Sequence, residues 1–148
     1  MALIDAIVAP PTREAPTMPR RDLREMTPAE LRCLREDDLG MTVRTFAAAI
    51  GTNASTVWRW ETGPRPPSKR NAGKIEALLD YTDAVVDRVA AAGDPIVTYA
   101  TAEAFQAGED TGGWVLPVEW HQMVAWRASE RTGARIVYSD RPDAPAPP

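Results

Sequence analysis

Apolar positions in the central half of the chain fall at helical spacing, and glycine, proline and capping residues cut them into short blocks. Thr27 is a good N-cap, Pro28 suits a first helical position, and Glu30 stands three residues after the cap, as in a capping box. The first helix is therefore predicted over Pro28–Asp38, with Leu31 and Leu34 inward and Gly40 closing it. Thr42 caps a second helix through Ile50, on which Val43, Phe46, Ala47 and Ile50 share a face. Gly51 ends it. Asn53 caps a third helix, Ala54–Thr62, which Gly63-Pro64 stops. Ser68 caps a fourth helix through Leu79, with Ile75, Leu78 and Leu79 inward, and a fifth is predicted over Tyr81–Ala92 with the stripe Val85, Val86, Val89.

After Gly93-Asp94-Pro95 the pattern changes. Ile96–Tyr99 is β-branched and aromatic, hence a short strand, and Thr101–Ala107 reads as a short helix. A loop over 108–113 precedes a helix from Pro117 to about Arg131, with Trp120, Met123, Val124 and Ala128 inward. Arg135–Tyr138 is a second strand. Four domains or segments follow: an arm over 1–25, a helical domain over 26–92, a small α+β domain over 95–139, and a tail over 140–148. Prolines at 10, 11, 16 and 19 mark the arm, and four more mark the tail.

Composition narrows the function classes. An apolar fraction of 44% over 148 residues suits one medium domain or two small ones. The lone Cys33 excludes an internal disulfide and is expected to be a small buried hydrophobe on its helix. No apolar run approaches the ~20 residues that span a bilayer. The apolar opening Ala2–Ala9 lacks a basic flank, contains Asp5 and meets Pro10-Pro11 early, unlike a secretory signal. A cytoplasmic location without membrane contact is expected.

Net charge is −4, but its distribution matters more than its sum. Residues 27–80 carry eight basic and seven acidic side chains, whereas 81–148 carry five basic and ten acidic ones. Within 59–74, Arg59, Arg65, Lys69, Arg70 and Lys74 face only Glu61. A modest basic patch thus stands beside an acidic, tryptophan-rich C-terminal half.

The segment Thr42–Thr62 carries the function. Two short helices at a steep angle need a tight connection and small residues where their backbones approach. Counted from Val43, the fourth, eighth, fifteenth and eighteenth positions are the apolar Phe46, Ile50, Val57 and Trp60. The fifth, Ala47, is small, and the ninth, Gly51, can take the positive φ of the turn. The tenth, Thr52, departs from the usual aliphatic residue.

Met41–Gly51 followed by Ser55–Gly63, ending in Trp60-Glu61-Thr62-Gly63 with a proline after it, resembles the XRE/Cro-repressor helix-turn-helix family. The likeness covers about residues 26–80. It implies a mostly α fold: an N-terminal lambda-repressor-like helix-turn-helix bundle followed by a small α+β dimerisation domain. More weakly, Val97-Thr98-Tyr99, Ala104-Phe105-Gln106 and Glu119-Trp120-His121-Gln122 are similar to a two-domain subgroup that includes anti-CRISPR-associated repressors. Where the family usually starts the second helix with glutamine, this chain has Val43, which cannot brace a DNA contact.

The major groove of B-DNA admits one α-helix, whose N-terminal residues meet base edges. If Val57 and Trp60 point inward, Asn53, Ala54, Ser55, Trp58, Arg59 and Thr62 point outward. Ala54 can touch a thymine methyl, Ser55 a base or phosphate, and Arg59 a guanine or the backbone. Thr42 and Arg44 at the second helix's N-terminus, and Lys69 and Arg70 opening the fourth, are expected at phosphates. A groove-facing Trp58 could pack on sugars or thymine methyls; equally, it could cover the first helix or meet the second domain.

No phosphate loop, ligand spacing or nucleophile signature appears, so no enzyme, cofactor or metal is expected. The single histidine, His121, is expected at the surface or bonded to a partner rather than ligating or catalysing. Trp120 and Trp126 lie about 120° apart around one helix, so at least one is expected at an interface. Helix-turn-helix monomers bury little DNA surface, and residues 95–138, with Val97, Tyr99, Trp120 and Val137, are expected to make a homodimer. Two readings remain: a repressor of its own operon binding double-stranded DNA, or an antitoxin-like module whose acidic C-terminal half neutralises a protein partner.

Overall fold

Side-chain caps start the helices where the pattern places them. A computed structural model describes residues 22–141; the expected arm up to residue 21 and the expected tail from residue 142 lie outside the described residues. Leu23–Glu25, within the expected arm, forms a single 3₁₀ turn capped by Asp22 that buries Leu23 completely. Thr27 and Glu30 make the reciprocal capping box of α1, Pro28–Cys33, which runs on into a π-helical turn, Leu34–Asp38. The wider turn is sealed by the Leu39 N–H on the Leu34 carbonyl at 3.2 Å. The inner face of this rod is Leu31, Leu34 and Arg35. Cys33, expected to be buried, is exposed because it lies off that face.

Helix α2, Val43–Ile50, buries Phe46, Ala47 and Ile50. Its C-cap Gly51 has φ +75°, a conformation that an L side chain resists, and this turns the chain into α3, Ala54–Thr62. Val57 and Trp60 of α3 pack inward against the Phe46 and Ile50 side of the core. The expected fourth and fifth helices are one: α4 spans Lys69–Ala91 without a break. Its buried positions, Ala72, Ile75, Leu78, Leu79, Thr82, Val85 and Val86, keep helical spacing across Asp80-Tyr81, and no glycine or proline lies between Ile75 and Ala91.

The C-terminal part folds as β1 (Ile96–Thr98), α5 (Ala102–Gly108), α6 (Val118–Thr132) and β2 (Ile136–Tyr138). The strands pair in parallel, with Ile96 opposite Ile136, Val97 opposite Val137 and Thr98 opposite Tyr138. A parallel pair needs a crossover, which α5 and α6 supply. Asp140, expected in the tail, instead accepts from the Ala100 and Thr101 amides at 2.8 and 3.1 Å, fastening the end of β2 to the start of α5.

Helix α6 lies along α4. The Trp120 indole Nε1–H donates to Thr82 Oγ1 at 3.0 Å, and that hydroxyl donates to the Leu78 carbonyl at 2.7 Å. Outside this buried chain, Arg127 pairs with Asp83 and Arg131 with Asp87, two rungs one helical turn apart. Gly40, at φ +63°, lets the α1–α2 loop approach α6 closely: a Cβ there would stand 2.9 Å from Met123 Cβ. Among the described residues one apolar cluster therefore runs unbroken from Leu23 and Leu31 to Ala128 and Ala134.

Candidate nucleic-acid interface

Helix α3 has a covered and an open side. With Val57 and Trp60 in the core, Asn53, Ser55, Trp58, Arg59 and Thr62 are exposed and Ala54 is half-buried. The described fold leaves those five exposed side chains open to solvent. Trp58 keeps 60% of its surface in solvent, so most of its indole is left uncovered by the described fold.

Asn53 organises the entry to this helix. Its Oδ1 accepts from the Thr56 N–H at 2.9 Å, from the Thr56 hydroxyl at 2.8 Å and from the Ser55 hydroxyl at 2.7 Å. Ser55 therefore presents lone pairs outward. Thr62 donates to the Trp58 carbonyl at 2.7 Å, and Arg59 reaches back to Thr56 Oγ1 at 3.4 Å.

Helix α2 enters the site at its N-terminus. Thr42 and Thr45 cap each other reciprocally, at 3.1 and 2.9 Å. That leaves the first-turn N–H groups of Val43 and Arg44, which have no intrahelical carbonyl to bond, at the positive end of the helix. Thr42 and Arg44 are exposed there. Lys69 and Arg70 are exposed on the first turn of α4, behind the Ser68 cap. Lys74, from the same basic run, brings its ammonium within 3.5 Å of where a Cβ on Gly51 would stand, so it lies over the α2–α3 turn.

A buried ion pair holds α3 in place, and the sequence reading missed it. Arg35 donates to both Glu61 oxygens, at 2.7 and 2.8 Å, and from Nη1 to the Met41 carbonyl at 2.8 Å. Both side chains are 6% exposed. The carboxylate's hydrogen bond raises the Arg35 pKa above its ordinary value, outweighing burial. One guanidinium thus ties the end of α1, the residue before the α2 cap and the end of α3. Glu61 stands in the Trp60-Glu61-x-Gly63 ending quoted above, but nothing local in the sequence names its partner 26 residues away.

The residues expected to dimerise separate into two groups. Val97 and Val137 pair across the sheet and are both exposed, whereas Tyr99 is half-buried with its hydroxyl on Glu109 at 2.9 Å. Burial first, and that acceptor second, push the Tyr99 pKa up to about 12. Trp120 is the correction: only 2% exposed, it belongs to the monomer's own core. The exposed indole is Trp126, at 55%, which lines a shallow groove of about 290 Å³ with Gln122, Ile136 and Tyr138.

His121 is buried and bonded to partners. Its Nδ1 meets the Thr98 hydroxyl at 2.8 Å and its Nε2 stands 3.3 Å from Glu109. Burial lowers its pKa, and Arg88 adds to that against the opposing pull of Glu109. Among the described residues, no cluster of His, Cys, Asp or Glu could hold a metal ion, and no helix is long and apolar enough to cross a membrane.

Comparison with known proteins agrees with this geometry. No curated protein matches the chain. Residues 31–85 match the family model described as helix-turn-helix, a span that takes in the second half of α1 with its π-helical turn, all of α2 and α3, and the larger part of α4. The match ends before β1, and nothing in it supports the likeness to the anti-CRISPR-associated subgroup. Residues 31–85 form an XRE-type helix-turn-helix domain.

Proposed function

We propose that the protein is a sequence-specific transcriptional repressor that binds a palindromic operator as a homodimer and regulates its own operon. The observation that carries this is the open side of α3. Asn53, Ser55, Trp58 and Arg59 face solvent while Val57 and Trp60 are held in the core. Helix α3 is the helix that enters the major groove. Thr42, Arg44, Lys69 and Arg70 hold phosphates on either side of it, and Lys74 adds charge over the turn. Val43, which cannot hydrogen bond, leaves that bracing to the helix end and to Arg44.

The second copy docks on the exposed sheet face, through Val97 and Val137 with Trp126 and Tyr138 beside them. A two-fold axis there makes the contact self-complementary and repeats α3 once per half-site.

A gel shift tests the DNA reading, using the chain's own upstream DNA and the full-length protein. Ser55→Ala and Arg59→Ala should each cost about 1–3 kcal/mol of binding, and affinity should fall steeply with salt. Unchanged binding by both variants overturns the recognition-helix assignment. Light scattering tests the dimer: Val137→Glu in the full chain should give monomers, and a dimer of unchanged strength overturns the sheet-face interface.

A further inference from the structure

We propose that the open face of α3 reads an A·T base pair, with Trp58 and Ala54 covering the thymine methyl and Ser55 accepting from adenine. This deepens the DNA-binding reading above and rests on it.

Trp58 and Trp60 sit two residues apart on one short helix, one 60% exposed and the other buried. An indole carries the largest apolar surface of any side chain, and leaving it in water forgoes a substantial burial free energy. Among the described residues no aromatic ring stacks on Trp58, and most of the indole lies in solvent. A helical side chain leans toward the N-terminus and covers the turn before its own Cα. For Trp58 that turn is Ala54 and Ser55, the first-turn positions that approach base edges. Both are small, so the ring stands proud and DNA can come close.

The hydroxyls on this face sharpen the reading. Ser55 commits its proton to Asn53 Oδ1 and Thr62 commits its own to the Trp58 carbonyl. As folded, both offer acceptors outward. In the major groove the thymine methyl is the only apolar group on a base edge, and the same A·T pair shows the adenine N6 amine as a donor. An acceptor beside an apolar surface complements that pair. A G·C pair offers its N4 amine but no methyl, and its two guanine acceptors need a donor such as Arg59. Asn53 Nδ2 and Arg59 supply donors at the edges of the face, away from its apolar centre.

The experiment is selection from a random duplex pool by the full-length wild type, Trp58→Ala and Trp58→Phe. Measured affinities for the enriched site follow, with each thymine replaced in turn by deoxyuridine, which lacks only the methyl. Wild type should enrich A·T at one fixed position of each half-site and lose about fourfold on deoxyuridine there, the worth of one buried methyl. Trp58→Ala, with an unchanged thermal midpoint, should bind at least tenfold more weakly and ignore the deoxyuridine change. Trp58→Phe should keep part of both effects. The proposal is overturned if wild type tolerates deoxyuridine at every position, or if Trp58→Ala keeps the wild-type preference and sensitivity. Enrichment of no sequence by wild type is a different result: it sinks the DNA-binding reading and this one with it.

Discussion

Removing the Glu61 carboxylate should do more damage than any surface change in the helix-turn-helix domain. In Glu61→Ala, Arg35 loses two of its three strong acceptors and keeps the Met41 carbonyl at 2.8 Å and a longer contact to Glu36 at 3.4 Å. Its guanidinium stays charged and almost fully covered. Stranding one member of a buried pair costs about 3–5 kcal/mol, because the uncompensated charge keeps its desolvation penalty. For a domain whose whole stability is about 5–15 kcal/mol, that is a large fraction. At roughly 2–4 °C per kcal/mol for a chain near this size, the thermal midpoint should fall by about 10 °C.

The double variant Arg35→Met/Glu61→Leu separates the pair's worth from the cost of breaking it. Apolar replacements of similar volume remove both charges, so most of the lost stability should return. The Met41 carbonyl would still lack its donor, so recovery should fall short of wild type. Urea unfolding followed by circular dichroism measures all three proteins. The reasoning is refuted if Glu61→Ala lies within about 1 kcal/mol of wild type, or if the double variant is as unstable as the single one.

Three further outcomes follow from particular contacts. Gly40→Ala should destabilise by more than 1 kcal/mol in the same assay, since it forces a side chain into positive φ and against Met123. Trp120→Phe should cost about 1–3 kcal/mol, from the lost bond to Thr82 and the volume missing beside it, with no change in oligomeric state by light scattering. His121 should make the fold acid-sensitive. Its folded pKa lies below 6.5, so the unfolded chain takes up the proton first as pH falls. Stability is then fully present above pH 6.5 and declines below it by at most about 1.4 kcal/mol per pH unit, until the folded pKa is reached. His121→Gln should flatten that part of the profile measured by urea unfolding; an unchanged slope assigns the acid sensitivity elsewhere.

Local chemistry made most helix starts legible. Thr27, Thr42, Asn53, Ser68 and Thr101 each accept from the amide three residues on, so a side chain within one turn decides the boundary. The open face of α3 was legible for the same reason, because Val57 and Trp60 at helical spacing dictate which side of nine residues is free. What stayed hidden depends on distant partners. Arg35 reads as a surface charge until Glu61 arrives, and Trp120 reads as an interface residue until Thr82 takes its indole N–H. The division of α4 into two helices erred differently. Asp80-Tyr81 looked like a joint, yet the stripe of Leu78, Thr82, Val85 and Val86 runs across it.

That unbroken helix has a consequence for how the proposed dimer would meet DNA. At 1.5 Å per residue, the 23 residues of α4 make a rod of roughly 34 Å. Its N-terminal part packs with the helix-turn-helix core, and its C-terminal part carries α6 through Trp120, Arg127 and Arg131. Helix α6 in turn carries the sheet, and the α1–α2 loop touches α6 at Gly40. The continuous core joins the helix-turn-helix region to the face proposed for the second copy with no linker between them. The distance between the two α3 helices in a dimer would then be built into the monomer's core rather than left to a tether. A palindrome of one fixed half-site spacing should bind, and inserting two base pairs at its centre should abolish tight binding by rotating one half-site off its helix. Equal affinity for both spacings in a gel shift would show that the two halves move independently, against the continuous core.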